Sequence, residues 1–233
     1  MQADKNSLPG GLFPLPVLEA ALSGQRFVLP DGALAALASH AGEMLRWNRS
    51  IRLTAITDLR EVAVKHILDS LLLLRFAPFE GRILDVGSGA GYPGIPLALC
   101  LPECAVTLVE PVGKKCAFLS RIVAMLGLRN VAIVQGRIER KGGVALPPFE
   151  TVVSRATFPP EEAIPLLAPH VASGGRLLLM TGPASEGDLA AGGARADVGD
   201  VFLSGTGLST GRTETFLLPY NMGARTIREL RVS

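Results

Sequence analysis

Apolar residues change their spacing near residue 82, and that change divides the chain. Before it, the spacing is helical. Pro14 to Gly24 reads as a short helix with proline near its start and glycine near its end. A longer one is expected over about residues 32–48, with Asp31 as a candidate N-cap and Leu34, Leu37, Met44 and Leu45 on its apolar side. A third is expected over about 59–75, capped by Thr57 or Asp58 and carrying Val62, Ile67, Leu68 and Leu71. Pro78 and Gly81 break the pattern. Residues 1–77 are therefore expected to form an N-terminal helical region packed on a core made by residues 78–233.

From Arg82 short apolar runs alternate with helical stretches. Strands are expected at Ile83–Val86, Ala105–Val109, Val131–Val134, Thr151–Ser154 and Arg176–Thr181. Helices are expected at Ile95–Leu101, closed by Pro102, at Gly113–Leu126, ended by Gly127, and around Glu161–His170. Strands separated by helices imply a parallel sheet with helices on both faces. After Thr181 the alternation weakens. Residues 183–198, rich in Gly and Ala, promise at best a frayed helix. Val201–Leu203 and Thr213–Pro219 read as two closing strands, antiparallel because a parallel crossover needs a dozen or more residues. A parallel sheet ending in an antiparallel hairpin is not the plain dinucleotide-binding pattern.

Composition narrows the class. Hydrophobic residues are 48% and charged residues 19% of 233, which argues for a folded globular protein. The run Leu71–Leu74 stops at Arg75, far short of a membrane span, and Asp4 with early proline and glycine argues against a secretory leader. Cys100, Cys104 and Cys116 define no disulfide framework, and His40, His66 and His170 lack metal-ligand spacing. A cytoplasmic protein without membrane or metal is expected. Net charge is only +2, but Arg46, Arg49 and Arg52 sit three apart, as do Arg225, Arg228 and Arg231. Either series could border a phosphate-bearing partner; solvated helix faces are the plainer reading.

The candidate chemistry sits at Ile83-Leu84-Asp85-Val86-Gly87-Ser88-Gly89-Ala90-Gly91-Tyr92-Pro93-Gly94, an apolar run entering a glycine-dense turn. Such a turn lets backbone approach a ligand closely. In a doubly wound sheet ligands bind outside the C-terminal strand ends, which is where Asp85, Gly87, Gly89 and Gly91 fall. Glu110, ending the second strand, is suited to accept hydrogen bonds from ribose hydroxyls. Ile138 and Glu139, after the third strand, are placed to hold adenine. Gly89-x-Gly91-x-x-Gly94 also matches a dinucleotide fingerprint, so an NAD oxidoreductase stands as a rival. Against it, Pro93 removes a donor at the helix start, and no Ser, Tyr and Lys set for hydride transfer is evident. A cofactor without phosphates suits the turn better, S-adenosylmethionine among them.

Trp47-Asn48-Arg49-Ser50-Ile51-Arg52-Leu53-Thr54-Ala55-Ile56-Thr57, Lys65-His66-Ile67-Leu68-Asp69-Ser70-Leu71, Gly113-Lys114-Lys115-Cys116-Ala117-Phe118-Leu119 and Ser154-Arg155-Ala156, together with the glycine turn, resemble the RsmG family, also called GidB, over about residues 15–220. The resemblance implies an α/β, Rossmann-like methyltransferase sheet with a terminal antiparallel hairpin and a small N-terminal helical region. It implies transfer of a methyl group from S-adenosylmethionine to N7 of guanine 527 in 16S rRNA, on free RNA, the small ribosomal subunit or an assembly intermediate, by a monomer. Gly87 and Tyr92 resemble glycine-loop contacts to the cofactor, Ile138 and Glu139 the pair near adenine, and Arg155 the arginine after strand four. His66, Asp69 and Ser70 would lie over the turn and shape the pocket; His66 and Arg155 are the candidate catalytic residues. The chain departs from the family pattern at Met180-Thr181-Gly182, where a lysine usually precedes the glycine, and at Ala224–Ser233, where a basic, proline-bearing tail is usual.

Guanine N7 has a lone pair and no proton to lose, so no general base is needed and orientation carries the rate. The product guanine is cationic, so Arg155 is expected at an RNA phosphate, guanine O6 or the cofactor carboxylate rather than against N7. A base in a flexible or single-stranded element is the accessible target.

Overall fold

The computed structural model describes residues 12–140, 142–155, 158–182 and 203–232. Helices α1 (Leu15–Leu22) and α2 (Ala33–Asn48) are followed by a continuous helical run from Leu59 to Phe76. That run is α-helical over Leu59–Val62 (α3), π-helical over Ala63–Leu68, α-helical over Asp69–Leu71 (α4) and 3-10 over Leu72–Phe76. Strands β1 (Arg82–Val86), β2 (Ala105–Glu110), β3 (Val131–Gln135), β4 (Phe149–Arg155) and β5 (Val171–Thr181) follow, with helices α5 (Gly94–Cys100), α6 (Gly113–Leu126) and α7 (Pro160–Leu167) between them. Strands β6 (Leu208–Leu217) and β7 (Ala224–Val232) complete a seven-stranded sheet in the order β3-β2-β1-β4-β5-β7-β6. The first five strands run parallel, and β7 lies antiparallel between β5 and β6. This is an α/β, Rossmann-like sheet, parallel through its first five strands, with a terminal antiparallel hairpin.

Strand alternation sends residues to two separate cores. Ile83, Val106, Leu108, Val153, Leu178 and Ile227 pack with α1, α2, the 59–76 run, α5 and α6. Leu84, Val86, Val109, Val152, Leu177 and Leu179 face the other way, under Ala163, Ile164 and Leu167 of α7. The two covers are unequal: most helices share one face, and between β3 and β4 the chain is irregular rather than helical. The thinner cover leaves room for a cavity at the strand ends.

Local structure departs from expectation at several points. The N-cap of α2 is Gly32, at φ 78°, with no side-chain cap, so Asp31 does not serve there. Asp58 does cap α3, accepting from the Arg60 and Glu61 N–H groups at 3.0 Å each. The third helix contains a π-helical stretch, a feature that apolar spacing at 3.6 residues does not signal. The hairpin also lies later in the chain than expected. Leu203 is helical rather than extended, and Val201 lies outside the described residues, as do residues 183–198 and Ala156. The two strands are β6 and β7, so the supposed tail Ala224–Ser233 supplies an inner strand. Arg225, Arg228 and Arg231 consequently belong to a strand, not a helix face. That strand tolerates charge because Glu229, 3% exposed, receives Arg176 from β5 at 3.3 Å and Arg231 at 3.0 Å.

Candidate functional site

The glycine turn follows directly from β1. Gly87, Gly89 and Gly91 have φ of 75°, 56° and 85°, a region costing other residues about 1–2 kcal/mol. The N–H groups of Gly87 and Ser88 donate to the Val109 carbonyl at 2.9 and 3.1 Å, fixing the turn against β2. Glu110 completes the tie, accepting from the Gly89 N–H through Oε2 and the Val112 N–H through Oε1, both at 2.9 Å. Asp85 points to the helix-rich face, where Oδ2 accepts from the Gly94 N–H at the start of α5 at 3.0 Å. Its Oδ1 is buried with no protein partner, and burial raises the carboxyl from 3.8 to about 6. A Cβ at Gly94 would stand 2.6 Å from Asp85 Oδ2 and collide with Leu108.

On the opposite face a cavity of about 450 Å³ opens where β1, β2 and β3 end. Val86 and Gly87, Val109 and Pro111, Gly136 through Arg140, and Phe158 with Leu166 of α7 line it. Ile138 is buried there while Glu139, Arg137 and Arg140 reach solvent. The floor is apolar, the wall is glycine backbone and the mouth is charged. Such a site takes a flat heterocycle against Ile138 and leaves polar groups at the rim.

Behind the turn, Tyr92 is 2% exposed and stands between two imidazoles. Its ring centroid lies 4.4 Å from His40 and 4.8 Å from His66, with interplanar angles of 20° and 11°. His40 Nε2 lies 2.7 Å from the Ala90 carbonyl and His66 Nε2 lies 2.9 Å from Thr54 Oγ1. Burial lowers His40 to about 4, while burial and then the Arg155 charge lower His66 to about 3. Burial raises the Tyr92 phenol instead. All three rings are therefore neutral near pH 7, and the stack joins α2, the π-helical stretch and the glycine turn through uncharged contacts. Asn48 shapes the adjoining loop: Oδ1 accepts from Leu53 and Thr54 N–H groups at 2.8 and 3.0 Å, and Nδ2 donates to the Thr54 carbonyl. Trp47 donates to Glu43, which also receives Arg46 and Arg121; the Arg46 pair, with the others, holds Glu43 near 2.

Arg155 closes the site from β4. Its Nη1 donates to the Lys65 carbonyl at 3.0 Å and to Asp69 Oδ2 at 3.2 Å, and its Cζ lies 5.8 Å from the Tyr92 ring centroid. Asp69 is fully buried and also receives Arg225, at 2.5 Å from Nε and 3.0 Å from Nη2. One carboxylate thus joins β4, the helical run and β7.

Of the residues singled out in the sequence, Gly87, Ile138 and Glu139 meet in the cavity wall. Asp85, Gly89, Gly91, Tyr92 and Glu110 build the turn behind it, while His66 and Arg155 lie on the helix-rich side with Tyr92. The cavity residues Phe158 and Leu166 escaped sequence reasoning, which considered His40 only as a metal ligand and Arg225 only as part of a cationic series. Phe158, an aromatic just past the fourth strand, carried a usable signal; His40 and Arg225 meet their partners only through tertiary folding. Among the described residues no group of three or more His, Cys, Asp or Glu could hold a metal, and no helix is long and apolar enough to cross a membrane.

Comparison with known proteins accords with this geometry. The family model GidB, rRNA small subunit methyltransferase G, matches residues 33–206. The chain is 41% identical over 205 residues to the ribosomal RNA small subunit methyltransferase G of Anaeromyxobacter sp. (strain Fw109-5), covering 88% of this chain and 90% of that one. It is 37% identical over 201 residues to the protein of the same description from Solibacter usitatus (strain Ellin6076), covering 86% and 91%. Among solved structures, magnesium protoporphyrin IX methyltransferase from Synechocystis PCC 6803 with bound SAM shares the fold, with TM-score 0.56, 18% identity and coverage of 83% of this chain and 97% of that one.

Proposed function

The chain belongs to the GidB family, rRNA small subunit methyltransferase G, and from that premise we propose that it transfers a methyl group from S-adenosylmethionine to N7 of guanine 527 in 16S rRNA. It is an S-adenosylmethionine-dependent methyltransferase. The observation that carries the cofactor part is the cavity where Gly87, Ile138 and Glu139 converge at the ends of β1 and β3. Its volume of about 450 Å³ lies within the range of small-molecule sites. Ile138 offers an apolar face for adenine, Glu139 a polar group at its edge, and Gly87 backbone on which a chain can lie without a Cβ in the way. Glu110, held by two backbone N–H groups, fixes the turn and retains acceptor capacity for hydroxyls.

The cofactor supplies an electrophilic methyl group on sulfonium sulfur. The protein's own residues then have to orient the guanine and exclude other nucleophiles. N7 needs no deprotonation, and burial leaves His40 and His66 as weak bases, so neither is called on to take a proton. We assign His66 to positioning: its ring and Thr54 brace the helical run over Tyr92 and the turn. Arg155 is preset by Asp69 and the Lys65 carbonyl, and can direct a donor at guanine O6, an RNA phosphate or the cofactor carboxylate. Exposed Arg49 and Arg52, beside Arg46, supply cationic surface for RNA.

The test is transfer of labelled methyl from S-adenosylmethionine to small-subunit rRNA lacking the modification, offered free, as precursor and in assembled subunits, with the product nucleotide mapped by mass spectrometry. N7-methylguanosine at position 527 is expected. Label at another base, or on a small molecule alone, would replace the substrate assignment while leaving the methyltransferase in place; no transfer to any RNA form would remove RNA as the substrate.

A further inference from the structure

The turn joining β6 and β7 lies at the same end of the sheet as the glycine turn. Arg155, the last residue of β4, pairs with Met180 of β5; Thr181 pairs with Thr226 of β7, and Leu217 with Ala224. Residues 218–223 therefore project at that end of the sheet, on the side of β4 away from the cavity and nearest Arg155. This turn is firmly built at its base: Leu218 is buried and its N–H donates to the Gly223 carbonyl at 2.8 Å, while Met222 packs against the core and donates to the Pro219 carbonyl. At its tip Tyr220 and Asn221 have φ of 59° and 55°. Asparagine takes that conformation readily; a bulky aromatic residue does so only at a cost. Yet Tyr220 is 46% exposed, so burial of its ring does not repay the strain.

The ring is not loose. The Arg60 guanidinium carbon stands 4.8 Å from its centroid, and Arg60 belongs to the first turn of α3, which Asp58 caps. Arg60 makes no ion pair among the described residues, so its charge remains available. The same helical run continues to Asp69, which joins Arg225, just past the turn, to Arg155. A strained, half-exposed aromatic with a cation against it is thus held in register with the reaction site by one helix and one strand.

We propose that Tyr220 is a stacking platform for an unpaired RNA base flanking the target guanine, with Arg60 meeting the adjoining backbone phosphate. Resting on the rRNA methyltransferase reading, this adds a substrate-binding residue outside the cofactor cavity. The chemistry favours RNA over a protein partner: every base has a π-face that an aromatic ring accepts, and a guanidinium beside the ring suits phosphate. A target in a single-stranded loop leaves neighbouring bases splayed and free to stack.

Tyr220→Gly separates the ring from the fold, since glycine removes the side chain and also relieves the positive φ. Its thermal midpoint is expected to match or exceed that of the unmodified protein. With unmethylated small-subunit rRNA as acceptor, its KM should rise by roughly tenfold with kcat largely kept, the scale of one lost base–aromatic stack. Affinity for S-adenosylmethionine should not change, and Tyr220→Phe should restore KM. Arg60→Ala should raise KM and flatten its salt dependence. An unchanged KM in Tyr220→Gly, or a Phe variant as poor as the Gly variant, would overturn the platform. If the unmodified protein methylates no RNA, the functional reading fails and the platform is tested separately with an unstructured polyuridine oligonucleotide. The Tyr220→Trp variant should then show quenched fluorescence on addition, beyond that of the lone native Trp47, and absence of that quenching would refute the stacking.

Discussion

Replacing Asp69 by asparagine removes one negative charge from a place where two guanidinium groups converge. Asp69 is fully buried, and the side chains of Arg155 and Arg225 are only 16% and 13% exposed. The carboxylate receives Arg225 at 2.5 and 3.0 Å and Arg155 at 3.2 Å. An amide of the same shape keeps one acceptor oxygen, but turns its NH2 toward a guanidinium and leaves two nearly buried cations facing each other. Removing one member of a buried ion pair costs about 3–5 kcal/mol, because the remaining charge stays desolvated. Solvent reaching the arginine edges favours the lower end, about 3 kcal/mol, equivalent to roughly 6–12 °C in Tm for a chain of this size. Denaturant unfolding of Asp69→Asn, followed by circular dichroism, measures it. The double variant with Arg225→Met should be less destabilised than the two single changes summed, because removing one cation relieves the repulsion. An Asp69→Asn stability within about 0.5 kcal/mol of the unmodified protein, or strict additivity in the double variant, would refute the claim that this carboxylate holds the three elements together.

Stability should also depend on pH. The folded values of His40 and His66, about 4 and about 3, lie below the ordinary 6.5, so the unfolded chain takes up these protons first. Stability is then full above about pH 6.5 and falls toward pH 4, by on the order of 2 kcal/mol per imidazole at pH 5. Asp85, raised from 3.8 to about 6, acts in the opposite sense, being favourable at low pH and losing that contribution as pH rises through 6. Asp85→Asn should therefore steepen the loss between pH 7.5 and pH 5 in urea titrations; equal midpoints at both pH values in that variant would contradict neutral buried imidazoles. Gly94→Ala should destabilise by about 1–3 kcal/mol through collision with Leu108 and Asp85, and an unchanged melting temperature would count against that packing. Gly87→Ala, at φ 75° in the cavity wall, should weaken S-adenosylmethionine binding about tenfold by calorimetry, against a backbone cost of about 1–2 kcal/mol; unchanged affinity would place the cofactor elsewhere.

The strands from β1 to β5 were legible because buried parallel strands are short apolar runs, and glycine and proline mark their ends. Gly87, Ile138 and Glu139 were legible for a related reason: ligands in such sheets gather beyond the strand ends, and strand ends can be counted. A closing antiparallel hairpin was legible, but its position and its inner strand were not. Ala224–Val232 carries Arg225, Arg228, Glu229 and Arg231, whose spacing resembles a solvated helix face and whose charge disguises an inner strand. Its charges find partners far along the chain, Arg225 with Asp69 and Glu229 with Arg176. A pattern read along one segment contains no information about a neutralising group 53 or 156 residues away. The same limit hid the His40–Tyr92–His66 stack, since three polar rings in separate segments become one joint only when folding brings them together. The chain by itself determined the alternating architecture, the glycine turn and the end of the sheet where the cavity opens. Tertiary structure decided which charges are buried, which charged strand lies inside the sheet, and that Tyr220 stands beside Arg60 at the glycine-turn end of the sheet, because desolvation and long-range ion pairing act on groups brought together in space.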